Sequence, residues 1–162
     1  MKYQKHNDSS VPVSIQLLFN NEKLDIMKVL CLMNAFLNKS KKKRKVSEIL
    51  FYYSLVNFNL ITLFEEEIDM NNVFAPSPNL YFRFQQNIKG ILLNMSHLEF
   101  IEVTGDVSKK LDEITVKLLP KGKQFFQEHK SEFFSNLQEK YISALDKVSF
   151  STENVKVIKG ML

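Results

Sequence analysis

The sequence has little of what makes turns and cross-links. Its 162 residues include one cysteine, four glycines, four prolines and no tryptophan. A single cysteine, Cys31, cannot form a disulfide within the chain, so a disulfide-stabilised scaffold is excluded and a reducing, cytoplasmic setting is predicted. So few glycines and prolines argue against an all-β protein with many tight turns and favour long helical segments.

Long apolar runs are absent as well. No stretch reaches the roughly 18 uncharged apolar residues of a membrane span, and the first residues lack the apolar core of an export signal. We therefore expect no membrane partner. The chain does hold material for one core, because 44% of its residues are hydrophobic and these include 14 Phe and 5 Tyr. This length and composition predict one globular domain.

Residues suited to catalysis are few and dispersed. Cys31 lies among apolar neighbours without an adjacent base, and the four glycines are too scattered for a phosphate-binding loop. The acids of residues 65–69 are typical of a hydrated surface rather than of a paired catalytic site. The three histidines lack metal-ligand spacing: His6, His97 and His129. We predict no enzyme, no cofactor, no metal and no small-molecule substrate.

Apolar periodicity predicts three helices. Residues 24–37 and 80–95 show the spacing of amphipathic helices, whereas residues 47–58 are apolar on nearly every side and indicate a buried helix with Ser47 as N-cap candidate. Turn formers predict a loop over residues 65–79. The apolar run 13–20 fits either a strand or a short docking helix.

The period falls to two after Phe100. Apolar and polar residues alternate over 101–104 and 114–118, with Gly105 and Asp106 between them, which predicts two antiparallel strands joined by a charged tip. Pro120 then suits the first turn of a final helix, whose predicted apolar stripe extends through Phe125, Phe126, His129, Phe133, Phe134 and Leu137.

This order of elements resembles a winged helix-turn-helix domain. The segment "LEFIEVTGDVSKKLDEITVKLLPKGKQFFQEH" is similar to the wing and following helix of many bacterial winged-helix proteins, where that helix opens Thr-Pro-Lys-Gly; here Leu119 replaces the threonine. We expect a mostly α fold with a small antiparallel β-ribbon, a winged helix-turn-helix with a long C-terminal helix. The expected parts are a flexible lead-in (1–13), the winged-helix domain (14–130) and a C-terminal helix and tail (131–162).

The N-terminal half resembles a more specific family. The stretch "KLDIMKVLCLMNAFLNKSKKKRKVSEILFYYSLVNFNLI" is similar to the small middle components of bacterial ABC-three-component antiphage defence systems of the Lamassu type, over residues 15–130. The resemblance implies a non-catalytic subunit between an SMC-like ATPase and an effector nuclease, with DNA as a further partner. The alternative is a free-standing transcriptional regulator that binds DNA.

Basic residues are unevenly distributed. The net charge is only +4, yet six of the 22 basic residues fall in residues 39–45. Such a run fits a solvated loop, a contact with phosphate or an acidic partner, or a nuclear localisation signal. The candidate residues in this run are Lys41, Lys42, Lys43, Arg44 and Lys45.

Two further groups complete the predicted binding residues. Arginine and amide side chains on the third helix suit base edges or phosphates, although an exposed helix face is polar in any soluble protein. Lysines at the wing tip suit a neighbouring phosphate, although charge there also deters edge-to-edge aggregation. These DNA- or partner-binding candidates are Arg83, Gln86, Asn87, Lys89, Lys109 and Lys110.

Overall fold

A computed structural model describes residues 21–65, 78–106 and 108–161. The predicted lead-in (1–13), the apolar run 13–20 and residues 66–77 of the predicted loop lie outside these ranges. The helices and strands are α1 (Glu22–Leu37), β1 (Arg44–Lys45), α2 (Val46–Asn57), α3 (Pro78–His97), β2 (Ile101–Thr104), β3 (Thr115–Leu118), α4 (Pro120–His129), α5 (Glu132–Lys147) and α6 (Thr152–Ile158). Short 3₁₀ turns span Leu60–Phe64 and Leu111–Glu113.

The predicted class, mostly helical with a small antiparallel sheet, is confirmed, and so are the three helices and the strands β2 and β3. The expectation of only two strands was wrong. β1 pairs with β3 in the order β1-β3-β2, and Arg44 lies opposite Val116. Val46 N–H then donates to the Ile114 carbonyl at 2.9 Å, so α2 starts directly from the sheet. Two charged residues give no strand signal in the sequence, which is why β1 was missed.

The N-cap of α2 is not the predicted residue. The helix begins at Val46, after the extended Lys45, so Ser47 lies inside the first turn and is not the N-cap. Its hydroxyl donates instead to Asp112 in the loop between β2 and β3, at 2.5 Å. This bond connects the beginning of α2 to the hairpin between β2 and β3.

The predicted long C-terminal helix is three helices. Lys130 and Ser131 are extended, with ψ angles of 116° and 174°, and separate α4 from α5. The break allows α5 to pack along α1, where Leu137, Tyr141 and Ala144 are buried. An uninterrupted helix would have carried these residues away from the core. Phe133, which the predicted stripe placed inside, is 54% exposed.

The Pro-Lys-Gly start of α4 follows from a close backbone approach. Pro120 occupies the first turn, where its missing N–H costs no hydrogen bond. A Cβ on Gly122 would lie 2.4 Å from the carbonyl oxygen of Phe100, so only glycine lets α4 sit against the start of β2. Leu119 precedes the helix without a side-chain cap, and its N–H donates to the same Phe100 carbonyl at 2.9 Å.

The core is built around α1 and α2. Tyr53 of α2 stacks on Phe84 of α3 with ring centres 3.9 Å apart. Tyr52 donates its buried hydroxyl to the Val148 carbonyl at 2.8 Å, which joins α2 to the end of α5. Within the described ranges, the helices lack the combination of length and apolar character needed to cross a bilayer.

Candidate functional site

The basic run does not form one patch. Lys45 lines a cleft beside α3, whereas Lys41 and Lys42 line a different groove beside α4. The side chain of Lys43 extends toward β2, and its ammonium donates to the Thr104 hydroxyl at 3.2 Å. β1 marks the change of surface, because neighbouring side chains in a strand point to opposite faces: Arg44 lines the groove of Lys41 and Lys42, and Lys45 lines the cleft.

Arg44 has a structural environment. Its guanidinium lies 4.5 Å from the centre of the buried Phe36 ring. It also donates to the Glu48 carboxylate and to the Ser40 hydroxyl, each at 3.0 Å. These contacts hold both terminal nitrogens of the guanidinium, whereas its buried Nε has no hydrogen-bond partner within the described residues. Arg44 therefore serves the fold through its intramolecular contacts.

A cleft with a volume of about 990 Å³ lies beside α3 and is here called the lysine cleft. Its walls are the beginning of α2, one stripe of α3, the loop between β2 and β3, and α6. Six lysines drawn from these segments line it: Lys45, Lys89, Lys109, Lys110, Lys156 and Lys159. Four of the predicted residues, Lys45, Lys89, Lys109 and Lys110, are thus brought together although they are spread over 66 positions of sequence.

The stripe that α3 contributes is Tyr81, Gln85 and Lys89, spaced four residues apart on one face. Lys89 donates its ammonium to the Lys109 carbonyl at 3.2 Å. This bond connects the loop between β2 and β3 to α3. The side chain of Lys109 remains exposed, so this loop presents its own charge to the cleft.

Two of the six lysines were not predicted. Lys156 and Lys159 lie one turn apart on α6, and the Lys159 ammonium is 5.8 Å from the centre of the Tyr81 ring. The only signal in the sequence is the i, i+3 spacing in "VKVIK", which gives no indication of where α6 packs. Their addition to the cleft depends on tertiary structure.

The cleft has a strong charge imbalance. Asp112 is the one carboxylate among its described lining residues, and this group accepts the Ser47 hydroxyl bond. Six ammonium groups within one concavity repel one another, and one carboxylate in the described lining offsets only part of their charge. Such an arrangement favours a bound polyanion.

The polar face of α3 has a different environment. Arg83, Gln86 and Asn87 are exposed but do not line the lysine cleft. Gln86 and Asn87 border a shallow pocket with Glu22 and Asp25 of α1. Two acids beside these amides would repel a phosphate backbone. Exposed apolar side chains, Leu80 and Phe82, accompany Arg83 on this face.

The other groups considered for chemistry have structural surroundings. Cys31 is fully buried, burial raises the pKa of its thiol to about 12, and the thiol donates to the Phe134 carbonyl at 3.4 Å. The His129 ring stacks on Phe125 with centres 4.2 Å apart. In the part of the chain that the structure describes, histidine, cysteine and carboxylate side chains form no group of three that could hold a metal.

Comparison of the chain with protein-family models, with curated proteins and with solved structures finds no match.

Proposed function

We propose that this protein is a non-catalytic winged-helix module that holds the phosphate backbone of a nucleic acid in the lysine cleft. The proposal rests on one observation: six lysines from four segments of the chain line the same cleft. Lysines that neutralise phosphates release condensed counterions, and this release supplies most of the affinity in binding without sequence preference.

The order of elements supports the winged-helix assignment. A helix, a short strand, two further helices and a two-stranded hairpin follow one another, and the short strand β1 adds to the hairpin in the order β1-β3-β2. In such a fold α3 would be the recognition helix, and residues 105–106 and 108–113 would belong to the wing. The lysine cleft lies between these two elements and the beginning of α2, where helix-turn-helix proteins meet DNA.

The chemistry of the cleft favours positioning over base recognition. Its cations are lysines, which act as point charges on flexible stems and lack the rigid bidentate fork of arginine. The predicted base-reading residues Gln86 and Asn87 lie beside acids, away from the cleft. We therefore expect contacts to the backbone and little discrimination between sequences.

The resemblance of the N-terminal half to Lamassu-type middle components supports a setting for this module. We propose that it serves as a cytoplasmic subunit between an SMC-like ATPase and an effector nuclease. Weak sequence preference suits such a subunit, because a complex that detects DNA of any sequence needs contacts to the backbone. The free-standing regulator remains the alternative, and it requires base contacts from Arg83, Gln86 and Asn87.

Two variants of equal charge test the proposal. The cleft variant replaces Lys45, Lys109, Lys110 and Lys156 with glutamine, and the control replaces Lys41, Lys42, Lys117 and Lys123, all of which lie outside the cleft. Lys89 is left in place because it ties the wing to α3. Affinity for labelled duplex DNA of several sequences is measured by fluorescence anisotropy across a salt series.

The slope of log affinity against log salt reports phosphate contacts, at about 0.9 per contact on duplex DNA. We expect the cleft variant to lower this slope by up to about 3.6 if all four lysines contact phosphate, and the control to leave it unchanged. Equal slopes for the wild type and the cleft variant would refute the cleft as the nucleic-acid site. A strong preference for one duplex that depends on Arg83 or Gln86 would favour the regulator.

A further inference from the structure

A second concave surface lies away from the lysine cleft, between the end of α1, β3 and the beginning of α4. It encloses about 660 Å³ and is here called the apolar groove. Its apolar lining consists of Met33, Phe36, Leu37, Leu118, Leu119 and Pro120. Met33 and Phe36 are buried beneath it, whereas Leu37, Leu118 and Leu119 are half-buried and Pro120 is exposed. The floor is therefore apolar surface that remains partly in contact with water.

The rim of this groove is basic. Four exposed lysines surround the apolar floor: Lys41, Lys42, Lys117 and Lys123. No carboxylate belongs to the described lining, and within the described ranges the ammonium groups of these four lysines form no ion pair. The neighbouring cations do have partners, since Lys39 pairs with Asp146 and Arg44 with Glu48.

The sheet is incompletely covered at the same place. β2 pairs with all four residues of β3, but β1 pairs only with Thr115 and Val116. Leu118 lies beyond the beginning of β1 at Arg44, so on that side it has no strand beside it in the described structure, and Leu118 lines the groove. An uncovered strand position offers main-chain hydrogen-bonding groups to an added segment.

We propose that the apolar groove docks an acidic segment of a partner protein, with apolar side chains on the floor and carboxylates on the lysine rim. Charge complementarity selects an anionic occupant, and the apolar floor selects a protein over a nucleic acid, whose backbone offers no apolar anchors. A buried apolar centre within a charged rim is the usual anatomy of a protein interface. This assignment does not depend on the lysine cleft, since the two surfaces share no lining residue.

The test is an unbiased selection from a displayed library of random peptides of about a dozen residues. The wild-type protein is the bait, and the groove variant (K41Q, K42Q, K117Q and K123Q) is used for counter-selection. We expect enriched peptides to combine several Asp or Glu with Leu, Ile, Met or Phe. A synthetic copy should bind the wild type and lose roughly tenfold or more in affinity on the groove variant.

Two controls separate the contributions. Replacing the apolar residues of the synthetic peptide with serine should abolish binding without any change in the protein, which tests the floor independently of protein stability. The cleft variant carries the same charge change as the groove variant, and it should bind the peptide like the wild type. Loss of peptide binding in both variants would mean that only overall charge matters, and the groove would be refuted.

Three further outcomes would overturn the proposal. Enriched peptides without acidic residues would contradict the role of the rim. Loss of duplex DNA affinity, rather than peptide affinity, on the groove variant would make the groove a nucleic-acid surface. Self-association in sedimentation experiments that disappears in the groove variant would identify the occupant as a second copy of this chain. The peptide and sedimentation results do not bear on DNA binding by the lysine cleft, which the cleft variant tests separately.

Discussion

The guanidinium of Arg44 lies over the ring of Phe36, 4.5 Å from its centre, and this contact fixes the middle of the basic run to the core. The neighbouring lysines lie on separate surfaces: Lys41 and Lys42 line the apolar groove, and Lys45 lines the lysine cleft. The lysines of a run that is continuous in sequence thus lie on two separate surfaces, and Arg44 between them contacts the core.

Replacing Arg44 with glutamine should therefore lower the free energy of unfolding. The cation–π contact and two hydrogen bonds would be lost or weakened, which amounts to about 1–3 kcal/mol. Lys43, whose ammonium donates to the Thr104 hydroxyl at an exposed site, is the matched control, and K43Q should change stability by less than about 0.5 kcal/mol. Urea unfolding measures both. Equally small losses of unfolding free energy in both variants would show that the guanidinium contributes nothing to the stability of the fold.

Two glycines in helices make a second matched pair. G122A should be strongly destabilising, by about 1–3 kcal/mol, because its Cβ would collide with the Phe100 main chain, which cannot move aside as a side chain could. G90A has no atom within 4 Å of the added Cβ and should stabilise α3 by about 0.5–1 kcal/mol. Thermal unfolding followed by circular dichroism compares them. Similar shifts in Tm would contradict the close approach of α4 to Phe100.

The thiol of Cys31 should be inert in the folded protein. It is fully buried, and burial raises its pKa to about 12, so almost no thiolate exists at neutral pH. The chain has no other cysteine, so labelling with a thiol reagent reports this site alone. We expect negligible labelling under native conditions and complete labelling in strong denaturant. Rapid labelling of the native protein would place Cys31 at an accessible surface.

The helices were predictable because their apolar spacing reports directly which face is buried. The break at Lys130 was not, since Phe126 and Phe134 continue a helical spacing across it and only the docking of α5 on α1 demands the extended residues. β1 was also hidden, because its pairing with β3 is decided by the hairpin and not by the two charged residues themselves.

The lysine cleft was partly predictable for a related reason. Basic residues at Lys45, Lys89, Lys109 and Lys110 are visible in the sequence, but their convergence depends on the contact of the loop between β2 and β3 with α3. Lys156 and Lys159 join them only because α6 packs beside Tyr81. The polar stripe of Arg83, Gln86 and Asn87 was correctly predicted to be exposed, yet the neighbouring acids of α1 could not be inferred from periodicity.

Asp25 and Asp106 should change the pH dependence of stability in opposite directions. Burial raises the pKa of Asp25 above its ordinary value of 3.8, against the opposing effect of the hydrogen bond from the Tyr53 hydroxyl. Because its folded pKa exceeds its unfolded pKa, Asp25 destabilises the fold increasingly as the pH rises through the folded value. D25N removes this penalty, and its amide oxygen still accepts the tyrosine bond. The variant should be more stable than the wild type at neutral pH.

The pKa of Asp106 is shifted in the opposite direction. The Ser108 N–H and hydroxyl donate to its carboxylate at 2.9 and 2.8 Å and lower its pKa. The stability that the Asp106 carboxylate contributes is present above its unfolded pKa and is lost as the pH falls through its folded pKa. D106N should therefore be less stable than the wild type at neutral pH. Urea unfolding from about pH 3 to 7 should show both variants converging on the wild type in acid. Divergence in the same direction at neutral pH would contradict the assigned environment of one of the two carboxyls.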